Sequence, residues 1–193
     1  MSSENDRSEP RGTDPRALRA LAHPVRLDLI SALHRDGPLT ASQCAEQLGL
    51  SPKVCSYHLN LLGKYGLIEE TGEGKGRARP WRVAVKSIDY VYEPNEDHDT
   101  TAAADEFGRV SVTRDAQMME QFIDNRHRLP TRWRNVSTVT SNPLRLSAPQ
   151  LQELGHELMT VMQRYAEISG TATEDTRPVQ LMVYAVPVDF TNT

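Results

Sequence analysis

The stretch from Thr40 to Pro52 constrains the fold of this chain more than any other. Thr40-Ala-Ser-Gln43 has the capping-box pattern, with a hydroxyl at the cap and an amide three residues on to return the bond. The helix it opens is short, because Gly49 can take the left-handed conformation that stops a helix. Ser51-Pro52 restarts the chain at once, with Ser51 as N-cap and Pro52 in the first turn. Helix, tight glycine turn and capped helix predict a helix-turn-helix. Leu67–Thr71, then Gly72–Arg79, then Pro80–Val85 read as strand, glycine-rich turn and strand, which adds a wing.

The second helix of the pair, residues 52–65, carries two faces. Cys55, Leu59 and Leu62 recur at i, i+4 and i+7 and should pack inward. Lys53, Ser56, Tyr57 and Asn60 recur at i, i+3, i+4 and i+7 on another side. All four are hydrogen-bonding groups, which is what base-edge readout in a major groove requires. Lys75, Arg77 and Arg79 load the hairpin with positive charge, suited to phosphates or a minor groove.

The net charge of −4 is unusual for a nucleic-acid binder, but the charges are segregated. Between Thr71 and Lys86 the basic residues are Lys75, Arg77, Arg79, Arg82 and Lys86, against Glu73 alone. From Ser87 to Gly108 only acids occur among the charged residues, and Asp97-His98-Asp99 reads as part of a solvated acidic linker. Screening lets a local basic patch act inside an acidic protein.

Residues 1–13 are polar and aperiodic, and are expected to be a disordered tail. Asp14-Pro15 starts a helix with the apolar stripe Leu18, Leu21 and Ala22. Pro24 begins a second, which buries Leu27, Ile30 and Leu33 and stops at Asp36-Gly37-Pro38. No apolar run approaches membrane-spanning length and the start lacks a signal-like segment, so a cytoplasmic protein is expected.

With these residues assembled, Pro15–Val85 resembles the winged-helix domain of ArsR-type bacterial regulators. The matching residues are Leu21-Ala-His-Pro-Val-Arg-Leu27, Ala45-Glu-Gln-Leu-Gly-Leu-Ser51, Val54-Cys-Ser-Tyr-His-Leu59, Leu61-Leu62 and Gly66-Leu67-Ile68. The resemblance implies an internal salt bridge for Arg26 and a part-buried His58 between recognition helix and core. The family's metal sensors place paired cysteines near the start of the third helix. Here Cys44 is offset from that position and Cys55 stands where a buried aliphatic residue is usual, so both are expected to be core residues.

Residues 87–193 are expected to form an α+β dimerisation or effector domain. Ile88, Tyr90 and Tyr92 alternate like a strand, and a long helix should run from about Thr101 to Arg128. Val136–Thr140, Leu144–Leu146 and Val179–Val186 look like strands, and Leu151 to Tyr165 form a helical apolar stripe after the Ser147 cap. Met118, Met119, Met159 and Met162 belong to a core or dimer seam, with an apolar ligand pocket as the alternative.

The whole chain is thus expected to be α+β, with a tail at 1–13, a winged helix-turn-helix domain at 14–86 and a companion domain at 87–193. The function expected is a homodimeric, sequence-specific regulator binding double-stranded DNA. Ser51, Lys53, Ser56, Tyr57, His58, Asn60, Lys75, Arg77 and Arg79 are assigned to DNA. A small-molecule effector at the companion domain is the further partner allowed. No cofactor, metal site, membrane contact or enzymatic motif is expected. The alternatives are a winged-helix protein-interaction module and a metal- or thiol-responsive repressor.

Overall fold

The computed structural model describes residues 14–73, 79–85, 97–168, 173 and 175–189. The expected tail, the hairpin tip with Lys75 and Arg77, and the Ile88–Tyr92 strand fall outside these residues.

Each early helix starts where local chemistry says it should. In α1 (Pro15–Leu21) the Asp14 carboxylate accepts from the Arg16 amide at 2.8 Å. Helix α2 (Pro24–Asp36) is capped by an unexpected group, His23, whose Nδ1 accepts from the Val25 amide at 3.2 Å. Helix α3 (Ala41–Leu48) has the full Thr40/Gln43 capping box and ends at Gly49, where φ is +65°. Helix α4 (Pro52–Lys64) is capped by Ser51 Oγ, which accepts from the Val54 amide at 3.3 Å.

The wing consists of antiparallel β1 (Ile68–Glu70) and β2 (Trp81–Val83), with Ile68 opposite Val83 and Glu70 opposite Trp81. Trp81 also exchanges both backbone hydrogen bonds with Leu39, which ties the wing to the loop before α3. The core beneath is formed by Leu21, Leu29, Leu59, Leu62 and Ile68, all essentially inaccessible. Burying each such side chain contributes about 1.5–3 kcal/mol.

Trp81 lies so close to α4 that a Cβ at Gly63 would sit 2.5 Å from its ring. Gly63→Ala should therefore cost about 1–3 kcal/mol through overpacking, outweighing the gain in helix propensity of about 1 kcal/mol. Urea unfolding checks this, and a stabilised variant would show that the ring moves aside freely.

Helix α5 (His98–Asn125), continued by a 3-10 turn at Arg126–Arg128, covers nearly the span expected from sequence. The described residues Asp97, His98 and Asp99 are not a linker but the cap and first turn of this helix. Asp97 caps the helix, accepting from the Thr100 amide at 2.9 Å and its hydroxyl at 2.8 Å, and Asp99 pairs with Arg19 of α1. Ala103 and Ala104 are buried with Leu18, and Phe107 and Val110 pack against the main core. Arg114, only 14% exposed, donates to Asp28 and to Ser31 Oγ of α2, both at 2.8 Å. The first compact unit accordingly runs through Glu120, and the second comprises Gln121–Thr193.

That second unit contains the end of α5, α6 (Thr131–Arg134) and α7 (Ala148–Ile168). The chain is α+β through its helices and wing sheet, but the strands expected at 136–140, 144–146 and 179–186 are not formed. These residues have no regular secondary structure and enter no ladder among the described residues. A strand needs a partner edge for its backbone groups, and none of the described residues supplies one.

Candidate nucleic-acid interface

Helix α4 is held from behind and free in front. Cys55, His58, Leu59 and Leu62 are buried, whereas Lys53, Tyr57 and Asn60 are exposed, Tyr57 by 65%. Ser56 is half-buried and bonded to its neighbour: the Asn60 side-chain amide donates to the Ser56 carbonyl at 2.7 Å and to its hydroxyl at 3.3 Å. Ser51 Oγ is committed to its capping bond. Val54, exposed by 38% on the first turn of α4, was missed in the sequence reading. An apolar group there is the type that meets a thymine methyl. Its spacing of three from Tyr57 is the signal that could have found it.

His58 is not on the exposed face. Its ring lies 4.7 Å from that of His23 and 5.1 Å from that of Tyr57, and its Nδ1 is buried without a hydrogen-bond partner among the described residues. The site thus couples the exposed Tyr57 to the α2 cap through His58. Arg26 departs from its expected role as an ion-pair partner. It donates to the Arg19 carbonyl at 3.1 Å, its Nε is buried and unpartnered, and no carboxylate among the described residues lies within ion-pair distance. The end of α1 offers that guanidinium a carbonyl, not an acid.

Burial lowers the pKa of both His23 and His58, and the nearby Arg26 charge pushes each the same way. A base with a depressed pKa in the fold is more protonated when unfolded. Its stabilising contribution is full above the unfolded value near 6.5 and is lost as pH falls below it. Protonation also turns His23 Nδ1 from acceptor into donor, which removes the α2 cap. Stability in urea should accordingly fall between pH 7.5 and pH 5, and His58→Leu should flatten that dependence. Equal stability at the two pH values would show that neither ring feels its burial.

The described arginines of the wing are already paired. Arg79 meets Glu70 at 2.9 Å and Arg82 meets Glu69 at 2.6 Å, all four side chains being at least a third exposed. Exposed pairs of this kind are weak and can be exchanged for phosphates. Cys44 and Cys55 are fully buried in the core, and burial with its cysteine neighbour pushes the Cys44 thiol up to about 11. Both thiols are therefore poor nucleophiles and poor metal ligands as they stand. Among the described residues no cluster of three or more His, Cys, Asp or Glu is placed to hold a metal.

A short capped helix, a glycine turn, a second helix with an exposed polar face and a two-stranded wing define a winged helix-turn-helix domain. Residues 21–71 match the family described as "Helix-turn-helix domain". The chain is 38% identical over 63 residues to a probable mercury resistance operon repressor of Streptomyces lividans, covering 33% of this chain and 50% of that protein. It thus spans about half the length of the curated relative it matches. A solution structure of the homodimeric winged helix-turn-helix DNA-binding domain Mb0332 from Mycobacterium bovis, a possible ArsR-family transcriptional regulator, aligns at 23% identity and a TM-score of 0.34. It covers 60% of this chain and 91% of that one, a score too low to carry a fold assignment. The helix-turn-helix expected from the sequence is matched over residues 21–71. No helix among the described residues is long and apolar enough to cross a membrane.

Proposed function

We propose that this chain is an ArsR-type transcription regulator of the cytoplasm, a non-enzymatic protein that binds double-stranded DNA sequence-specifically as a homodimer. The observation that carries this reading is the exposed face of α4, where Lys53, Tyr57 and Asn60 stand clear of a helix whose other side is locked into the core. On this reading α4 enters the major groove, with Val54 beside those three residues, and the wing lies on the backbone or in the minor groove. His58 serves the interface by fixing the helix and does not reach DNA itself. Ser51 presents the start of α4, and Ser56 orients Asn60.

The test for the wing uses salt. If Lys75, Arg77 and Arg79 meet phosphates, changing all three to Ala should weaken binding to every duplex. The slope of log affinity against log salt should flatten by about two to three units. An unchanged slope would turn the wing away from DNA. It would favour the rival reading of a winged protein-interaction module, for which the Glu70–Arg79 and Glu69–Arg82 pairs speak. The buried thiols speak against a thiol-responsive repressor.

On this reading a small-molecule effector would bind in the second unit. A cleft of about 400 Å³ is lined by Phe122, Val139, Arg126, Arg134, His127 and Ser137. Arg126 and Arg134 in a lining that also holds Phe122 and Val139 would suit a small organic anion with an apolar body.

A further inference from the structure

Helix α4 carries its reading face and its anchor side by side. Tyr57 is 65% exposed, whereas the next residue, His58, is only 9% exposed. The His58 ring lies 4.7 Å from that of His23 and meets the Tyr57 ring edge-on at 5.1 Å. His23 in turn caps α2, its Nδ1 accepting from the Val25 amide at 3.2 Å. An imidazole nitrogen accepts only while it carries no proton, so this cap requires a neutral His23.

The surroundings of the pair resist positive charge. Arg26 of α2 belongs to the same cluster, and its Nε, like His58 Nδ1, is buried without a partner among the described residues. Tyr57 of α4, Tyr65 just after it and Glu106 of α5 act on Arg26. The charges acting on the rings are those of Arg26 and, for His58, of His23 as well. Arg19 of α1 gives the cluster only its carbonyl, its guanidinium being turned to Asp99. Burial first, then this neighbouring positive charge, keeps both rings neutral to below the ordinary value of 6.5.

We propose that the His23–His58 pair is a pH-dependent latch on base readout: with both rings neutral it seats Tyr57 on the exposed face of α4, and protonation unseats it. This deepens the DNA-binding reading above and rests on it.

Protonation acts twice at one place. A proton on His23 Nδ1 sets two donors, that N–H and the Val25 amide, against each other and opens the start of α2. A charge on either ring faces Arg26 and the other imidazole in a half-buried cluster, where like charges repel more than in water. The nearest relief is solvent on the exposed face of α4, one residue away at Tyr57. A His58 ring turning out to that face displaces the phenol that meets it edge-on. The helix itself stays, because Cys55, Leu59 and Leu62 remain fully buried behind it. Lys53 and Arg79 are not among the charges acting on the pair, so phosphate contacts persist when readout is lost.

The experiment uses the full chain and a duplex enriched from random-sequence DNA at pH 7.5. Anisotropy measures affinity for that duplex and for its scrambled counterpart between pH 7.5 and pH 5. Preference for the enriched duplex should fall at least about fivefold, the lower worth of one well-placed base contact, while the scrambled duplex is bound at least as well. The midpoint of that fall should coincide with the ring titrations of His23 and His58 followed by NMR in the wild type. His58→Leu and, separately, His23→Asn should each keep the preference within about twofold across the same range. Asn at a cap accepts the same backbone bond without titrating, so the second variant keeps α2 capped. A wild-type preference that holds at pH 5, a midpoint apart from both ring titrations, or a fall undiminished in either variant overturns the latch and leaves DNA binding intact. Equal loss on both duplexes, with the helical circular dichroism signal, would mean unfolding and overturns it too. Failure to enrich any sequence at pH 7.5 overturns both readings.

Discussion

Tyr57→Ala combined with Asn60→Ala should reduce affinity for the cognate operator by about 30- to 20,000-fold while leaving binding to random duplex nearly unchanged. The range follows from about 1–3 kcal/mol of base discrimination for each well-placed contact. Neither side chain holds the fold together. Tyr57 is largely exposed, and the bonds of Asn60 stay within its own helix turn. The variant should therefore unfold at nearly the wild-type urea concentration, which separates loss of readout from loss of structure. Lys53→Ala should act differently, weakening all duplexes alike through one lost phosphate contact. Fluorescence anisotropy with operator and scrambled duplexes distinguishes them. Equal losses on both duplexes for the Tyr57/Asn60 variant would mean that α4 does not read bases.

The second large effect concerns where the chain can be cut. A boundary at residue 86 follows from sequence, but a chain ending there loses Ala103, Ala104, Phe107 and Val110 from its packing and leaves Asp28 without Arg114. The expected destabilisation is several kcal/mol, comparable to deleting two or three core side chains. A chain ending at Glu120 keeps all of those contacts. It should fold, run as a monomer, and bind a palindromic operator at least about tenfold more weakly, a loss of about 1.4 kcal/mol or more. Thermal unfolding and sedimentation of both truncations decide the matter. A dimeric 1–120 chain would move the dimer contact from the second unit onto α5.

The local signals needed no tertiary context to be legible. Thr40 with Gln43, Gly49, and Ser51 with Pro52 each act on backbone groups within a few residues of themselves. The polar stripe of α4 was likewise readable, because helical periodicity alone decides which residues share a face.

What tertiary structure decided was every role that joins distant residues. The family resemblance implies a part-buried His58, but only packing sets its ring against that of His23, thirty-five positions earlier. Arg114 looks like one more surface charge until α2 brings Asp28 and Ser31 to it across more than eighty residues. Asp97 and Asp99 read as solvated acid because charge density is a local property; the Asp97 cap is equally local, a bond to Thr100, whereas the Asp99 pair with Arg19 depends on where α1 and α5 meet. The closing apolar run carries a clear strand pattern, but β structure is completed by a partner edge. Sequence periodicity determines that a segment can be a strand; only the arrangement of chains in space determines what it pairs with.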